Sequence, residues 1–395
     1  MQLLGLQQSY LEKKSARLTA CEIAGQPELW EATEQLFLEH NSGMQSFLNR
    51  AYKEADNIIL TGAGTSAFIG LSLEGVFFRH TGIHTKAIAT TNIVSHPQDY
   101  FNKDHTSFII SFARSGNSPE SCAALELADR FSKKCIHLII TCDENGALAQ
   151  YETANPKYVF VLPKAANDKS LAMTGSYSGM LLTGLMIAYI NQPLTIKVQT
   201  QLVIKAARHI LSGALTTLQE TAAKDFKRAV FLGSGNLFGT ATEASLKLQE
   251  LTDGKIICKE DSYLGLRHGP KAVIDEQTLV VYFFSNNNYV KQYEYDLADA
   301  MKNGNHALYE IGISEKKEDA IALDAQINFG FDGEQIDEDF LPVCAIVAGQ
   351  ILAFYKSLNL GLTPDNPSIN GAISRVVQGV TIYPVEEGKT AINNS

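Results

Sequence analysis

One pattern occurs twice in this chain and limits its fold more than any other. Asn57–Leu60 (NIIL), a short apolar strand, runs into TGAGTS at 61–66 and a helix from Ala67 to about His80. Some 170 residues later RAVFL (228–232) runs into GSGN at 233–236 and a helix from about Gly239 to Leu251. Two openings of the form strand, Gly-x-Gly, helix (LTGAG at 60–64 and LGSGN at 232–236) signal an internal duplication. Around each, apolar strands alternate with helices. Ser107–Phe112, Cys135–Cys142 and Lys157–Leu162 are strands of the first set, with helices over Pro119–Lys134 and Tyr177–Asn191. Lys255–Lys259, Gln277–Ser285 and Ala307–Ile311 belong to the second, with helices over Tyr289–Lys302 and Ile346–Asn359. Near-continuous apolar strands separated by helices are those of a parallel sheet covered on both faces. The expected fold is α/β: two tandem domains, each a mostly parallel sheet flanked by helices in a flavodoxin-like three-layer sandwich. The expected organisation is a helical segment over 1–50, with Leu29–Asn49 as one amphipathic helix, a first domain over 51–195 and a helical connector over 196–224. A second domain over 225–384 and a loosely ordered tail over 385–395 complete it.

Composition removes several classes of function. A formal net charge of -10, with no Lys/Arg stripe, argues against nucleic acid as a partner. Six cysteines without a C-x-x-C pair read as reduced thiols and a cytoplasmic setting. The opening MQLLGLQQSYLEKKSAR has neither the basic start nor the apolar core of a secretory signal. No apolar run reaches the ~18 uncharged residues of a membrane span, and the nearest, Gly179–Ile190, reads as a buried helix. The nine histidines are dispersed without H-E-x-x-H, and Gly82 separates His80 from His84, so no metal and no other cofactor is expected. No G-x-S-x-G hydrolase elbow is present.

The turns carry the chemistry. In TGAGTS, Gly62 and Gly64 can adopt positive φ and admit a ligand close to the backbone. Thr65 and Ser66 follow at a helix N-terminus, where free N–H groups favour an anion. The third glycine of a dinucleotide fingerprint is replaced by Ala67, and the GK[ST] of a P-loop is absent. A capped tight turn explains this loop equally well. ARSGNS (113–118) repeats the arrangement on the next strand, with Pro119 at the first helical position, Ser115 and Ser118 flanking Gly116, and Arg114 able to chelate phosphate. Both turns open at the carboxyl edge, where open α/β sheets bind ligands. LAMTGSYSG (171–179) adds a third hydroxyl cluster, with Thr174 as its candidate contact.

Together TGAGTS, SFARSGNS and LAMTGSYS, followed by FLGSGN, EASLKLQE and GLRHGP, resemble the sugar isomerase (SIS) domain family. The chain looks like the isomerase half of glucosamine-6-phosphate synthase, and within the family it is most similar to galactosamine-6-phosphate deaminase/isomerases, also called tagatose-6-phosphate ketose/aldose isomerases. LTPDNPS and RVVQGVTIY near the end carry that closer likeness. The resemblance runs from about residue 50 to 384. It implies phosphate contacts at Ser66, Arg114, Ser115 and Ser118, and sugar contacts at Gly64, Thr65 and Thr174. The substrate it implies is a hexosamine 6-phosphate or ketohexose 6-phosphate.

Glu243, Lys247 and Glu250 of EASLKLQEL share one helical face, which by itself is also the pattern of a solvated Glu–Lys–Glu ladder. The resemblance makes Glu250 the base that moves a proton between C2 and C1, with Lys247 beside it. It makes His268 of GLRHGP the group that opens the sugar ring, reaching the site from a neighbouring subunit, which implies a homodimer or higher homo-oligomer. Two departures follow. Gln378 stands where the synthase has a Schiff-base lysine, and a glutamine forms no imine, so either Lys247 or no lysine at all takes that part. The chain opens Met1-Gln2-Leu3, without the N-terminal cysteine of the synthase's glutaminase domain, so deamination is the expected direction. Plain aldose–ketose isomerisation, deglycation of fructosamine phosphates and non-catalytic sugar phosphate sensing share the same anchoring and remain open at this point.

Overall fold

The computed structural model describes residues 2–302, 304, 306–377 and 379–385; Gln378 and the stretch 386–395 of the expected tail lie outside the described residues. Five parallel strands form the first sheet: β1 (Asn57–Thr61), β2 (Thr85–Ala87), β3 (Thr106–Ala113), β4 (Lys134–Thr141) and β5 (Lys157–Val161), in the order β2-β1-β3-β4-β5. Five more form the second: β6 (Arg228–Leu232), β7 (Ile257–Asp261), β8 (Thr278–Phe283), β9 (Tyr309–Ser314) and β10 (Ala325–Asn328). Their order, β7-β6-β8-β9-β10, is the order of the first sheet again. The order reverses between β1 and β3, and between β6 and β8. At such switch points the loops part and leave a crevice at the carboxyl edge. The central strands are buried on both faces because Ile, Val and Phe fill them; every residue of β3 (TSFIISFA) is buried.

The helices that matter here are α1 (Gln26–Glu39), α2 (Asn41–Glu54), α3 (Thr65–Thr81), α4 (Pro119–Phe131), α5 (Gly175–Ala188), α6 (Pro193–Gly213), α7 (Leu215–Ala223), α8 (Asn236–Leu251), α9 (Asn288–Lys302) and α10 (Leu341–Asn359). The single helix expected over Leu29–Asn49 is two, meeting at His40, because Asn41-Ser42-Gly43 is weak helix former and a favourable place to restart. β2 and β10 escaped the sequence reading: three and four residues long, with Lys86 and Gln326 inside them, they lack an apolar run. Gly179–Ile190 is not the nearest approach to a membrane span. Among the described residues one helix, Glu338–Asn359, is long and apolar enough to cross a membrane, and its apolar stretch is buried inside the protein. Its apolarity serves the core.

The two halves share that core. α8 of the second half lies between α3 of the first and α10, and small residues let it approach. A Cβ added at Gly349 would lie 2.8 Å from Ala244 Cβ, and one at Gly239 would lie 2.7 Å from Ser72 N. The duplicated turns match in backbone: Gly64 has φ 55 and ψ -129, Gly235 has φ 54 and ψ -123. Ser285 Oγ accepts from Asn287 N–H as Ser115 Oγ accepts from Asn117 N–H. In the second half, however, the Ser285 N–H donates at 3.0 Å to the carboxyl of Glu294, which also bonds the Ser234 side chain and is fully buried.

Candidate active site

Gly62 and Gly64 make the first loop. A side chain at Gly62 would lie 2.6 Å from Ser66 Cβ, and Gly64 holds a positive φ. Only glycine lets the strand turn this tightly into α3. Ser66 then faces a cavity of about 100 Å3. Ser115 and Ser118 line the same cavity, so hydroxyls from the β1 and β3 turns converge as the sequence predicts. Ser118 caps α4: its Oγ accepts from Ser121 N–H at 3.3 Å, with Pro119 at the first helical position. Ser121 also lines the cavity, its Oγ 2.6 Å from that of Ser118. The sequence reading missed it, although Ser118-x-x-Ser121 at a helix start was a signal for it.

Arg114 borders the cavity, but its guanidinium is turned to the main chain. Nη1 donates to the carbonyls of Ser170 (3.3 Å) and Leu171 (3.1 Å), and Nη2 to that of Arg375 (2.6 Å). Burial, and then the charge of Arg375, push its pKa down. It ties the C-terminal segment over the cavity, whose wall includes Arg375, Val376 and Val377. Arg375 is anchored in turn by donating to Asp168 O (2.9 Å) and Asn167 Oδ1 (2.6 Å). Thr174 does not reach the cavity. It is fully buried, and its N–H and hydroxyl donate to the Asp168 carboxylate at 2.8 and 3.3 Å. Met173 is the residue of that segment in the wall.

The second half supplies the charges. Lys247 is fully buried, its ammonium 3.0 Å from Thr65 Oγ, 3.4 Å from Glu243 Oε1 and ion-paired to Glu250. The solvated ladder is thus excluded. Thr65 is bound to the lysine, one residue from Ser66, so the ammonium joins the hydroxyl loop of one half to the carboxylates of the other. The Glu250 side chain keeps 23% of its exposure and its charge acts on Arg114, on the cavity wall. Glu243 is fully buried, and burial pushes its carboxyl up to about 8 against the opposing pull of Lys247. His268 lies in the turn after Leu266, is exposed, and lines none of these cavities.

A larger cleft, about 830 Å3, opens beside the hydroxyl cavity at the carboxyl ends of β4 and β5 and shares Arg375 with it. The sequence had not marked its lining, which includes Asp143, Lys164 and Lys169. Three side chains able to hold a metal, Asp129, Cys135 and His137, meet near the amino end of β4, away from the cavity. The Asp129 carboxylate already accepts from Asn155, Tyr151 and Thr153 and pairs with His137. Four partners complete its hydrogen bonding, and burial pushes the Cys135 thiol up to about 12, far from the thiolate a metal binds. These residues fit a structural network better than a cation.

Comparison with known proteins gives the family and the fold. The SIS domain family matches residues 51–190 and 224–353. The D-galactosamine-6-phosphate deaminase AgaS of Escherichia coli is 40% identical over 370 residues, covering 92% of this chain and 94% of its own. The crystal structure of tagatose-6-phosphate ketose/aldose isomerase from Escherichia coli superposes with a TM-score of 0.84 at 37% identity, over 93% of this chain and 97% of that one. A solved Clostridium novyi chain reaches 0.94 at 39% identity, over 98% and 100%.

Proposed function

The chain belongs to the SIS domain family, and from that premise we propose that it converts galactosamine 6-phosphate and water to tagatose 6-phosphate and ammonia. The observation that carries the reading is the Lys247 ammonium, buried between Thr65 on one side and Glu250 on the other. It links a carboxylate of one half to the loop that carries Ser66, which lines a cavity ringed by hydroxyls, and a sugar phosphate with a transferable proton requires both.

In this reading Ser66, Ser115 and Ser118 hold the phosphate, and Ser121 joins them. Arg114 acts through the main chain, by holding the wall, and adds a positive field. The cavity has room for the phosphate group, and the open-chain sugar extends from it toward Glu250. Glu250 takes the C2 proton of the aldehyde form. The resulting enolamine is protonated at C1 to give a ketimine, which water hydrolyses, releasing ammonia and leaving the 2-ketose. No covalent lysine is needed, because the substrate carries its own nitrogen, and Lys247 with its three polar partners is held as a charge and not as a nucleophile. His268, exposed in one chain, serves a second copy in this reading, and the working form is a homodimer or higher homo-oligomer in the cytoplasm.

The test is ammonia release from galactosamine 6-phosphate and glucosamine 6-phosphate side by side. Release from the galacto substrate supports the proposal. Interconversion of tagatose 6-phosphate with its aldose, without ammonia release, would favour the plain isomerase that the Escherichia coli structure is named for. Tight binding of both amino sugars with no turnover would leave a sensor.

A further inference from the structure

We propose that Glu243 is a positioning residue for proton transfer, which it serves by holding the Lys247 ammonium against Glu250 and Thr65. The inference rests on the reading of Glu250 as the base. Lys247 has three N–H bonds and three polar neighbours: Glu250 one turn ahead on α8, Glu243 one turn behind, and Thr65 across the interface. No part of its side chain is exposed, so water cannot substitute for a lost partner. Glu243 has no other evident purpose. It is fully buried, it lies 3.4 Å from the ammonium, and its further polar neighbours among the described residues are the Thr65 hydroxyl and the Tyr177 phenol, none of them in full hydrogen-bond geometry with it. A carboxyl in such a place is costly unless something nearby uses it.

Charge decides how it is used. Burial raises Glu243 to about 8, so at neutral pH it is the neutral acid and leaves the Lys247 ammonium to its ion pair with Glu250. The full ammonium charge then bears on Glu250, Thr65 and the substrate. Above about pH 8 Glu243 ionises, competes for the ammonium and adds a second negative charge behind the base. The groups facing it are Lys247 and Glu250 from α8, the Thr65 hydroxyl from α3 and the Tyr177 phenol from α5. Burial drives that phenol far above its ordinary value, so it does not titrate in this range. Glu243 thus sets the alkaline limit of the reaction.

Proton exchange at C1 of tagatose 6-phosphate in D2O, followed by proton NMR across pH 6 to 10, isolates this step, since the ketose has no amine to titrate. In the wild type the rate falls above about pH 8. In Glu243→Gln the alkaline limb is lost or moves up by at least about one pH unit, while the acid limb stays. In Glu243→Leu, which removes the third partner of the lysine, kcat falls at least about tenfold with KM within about twofold. An alkaline limb at the same pH in Glu243→Gln overturns the inference. If Glu243→Leu does not fold, the Gln profile decides alone. Turnover surviving in Glu250→Gln would instead remove the base and the proposed chemistry; loss of turnover there, with an unmoved limb in Glu243→Gln, removes only the role of Glu243.

Discussion

Gly239→Ala is the substitution whose outcome the structure decides most sharply. In an exposed helix Gly→Ala stabilises by about 1 kcal/mol, because alanine is the better helix former. At Gly239 the new methyl carbon would lie 2.7 Å from Ser72 N and 2.8 Å from Phe68 O, both backbone atoms of α3, and 2.2 Å from Ser72 Oγ. A side chain could swing aside, but the backbone of a packed helix cannot, so α8 must move off α3 by a good fraction of an ångström. Overpacking of this kind costs about 1–3 kcal/mol, which cancels or exceeds the gain in propensity. The larger effect is on rate. α8 carries Lys247 and Glu250, and α3 begins with Thr65 and Ser66, so the shift separates the proposed base from the proposed phosphate loop. Misplacement on the order of 1 Å can cost ~100-fold in turnover. Gly75→Ala, on the exposed side of α3, is the control: its methyl would meet only the flexible end of Arg79, at 3.2 Å. Urea midpoints and kcat for both variants make the comparison. Gly75→Ala should gain up to about 1 kcal/mol and keep its rate, while Gly239→Ala should lose both stability and at least about tenfold in kcat. A Gly239→Ala protein as stable and as active as its control would refute the close approach of the two halves and the reasoning built on it.

Glu250→Gln should abolish ammonia release and leave substrate binding, measured by calorimetry, within about threefold. Ser115→Ala and Ser118→Ala should raise KM about tenfold with kcat less affected, each removing a hydroxyl worth about 1–2 kcal/mol to a charged ligand; unchanged constants would remove the phosphate assignment. Mixing His268→Ala with Glu250→Gln subunits after joint refolding should restore about a quarter of wild-type activity if the histidine serves the partner's site, since half of random dimers then carry one intact site. No recovery would place the histidine in its own chain's site or outside the chemistry. Stability should fall as pH rises from about 5 to 8. Burial raises Glu243 to about 8, and Glu294 and Glu310 to about 7, so across that window the folded protein holds protons that the unfolded chain has released. The urea midpoint at pH 8 should lie below that at pH 5.5, and a higher one would mean these groups are ionised in the fold.

Much of this was readable from residue order. Gly62, Gly64 and Gly235 announce strand-to-helix turns because no other residue fits them, and Pro119 marks a helix start for the same local reason. Ser66, Ser115 and Ser118 follow from those turns, since their position is fixed within a few residues of chain. What escaped depends on distant partners. Arg114 looks like a phosphate ligand until the carbonyls of Leu171 and Arg375 are beside it, and Thr174 looks like a sugar contact until Asp168 takes its donors. The burial of Glu243 and Lys247 has no local signature: an i, i+4 Glu–Lys pair reads the same on a wet face as between two domains. Met173, Val376 and Val377 gain meaning only when the chain end folds back over the first sheet.

The carboxyl of Glu294, clasped by Ser285 N–H in the twin of the first crevice, has a last consequence. An incoming dianion there would meet Glu294 and, bonded to Ser285 Oγ, Glu338, and Lys291, whose charge acts on Glu294, is already committed to Glu318. Copying a gene segment duplicates a receptor; furnishing one copy with its own acid retires it. The expected stoichiometry is then one sugar phosphate per chain, to be read by titration calorimetry, with the second crevice left to lend its opening helix to the first.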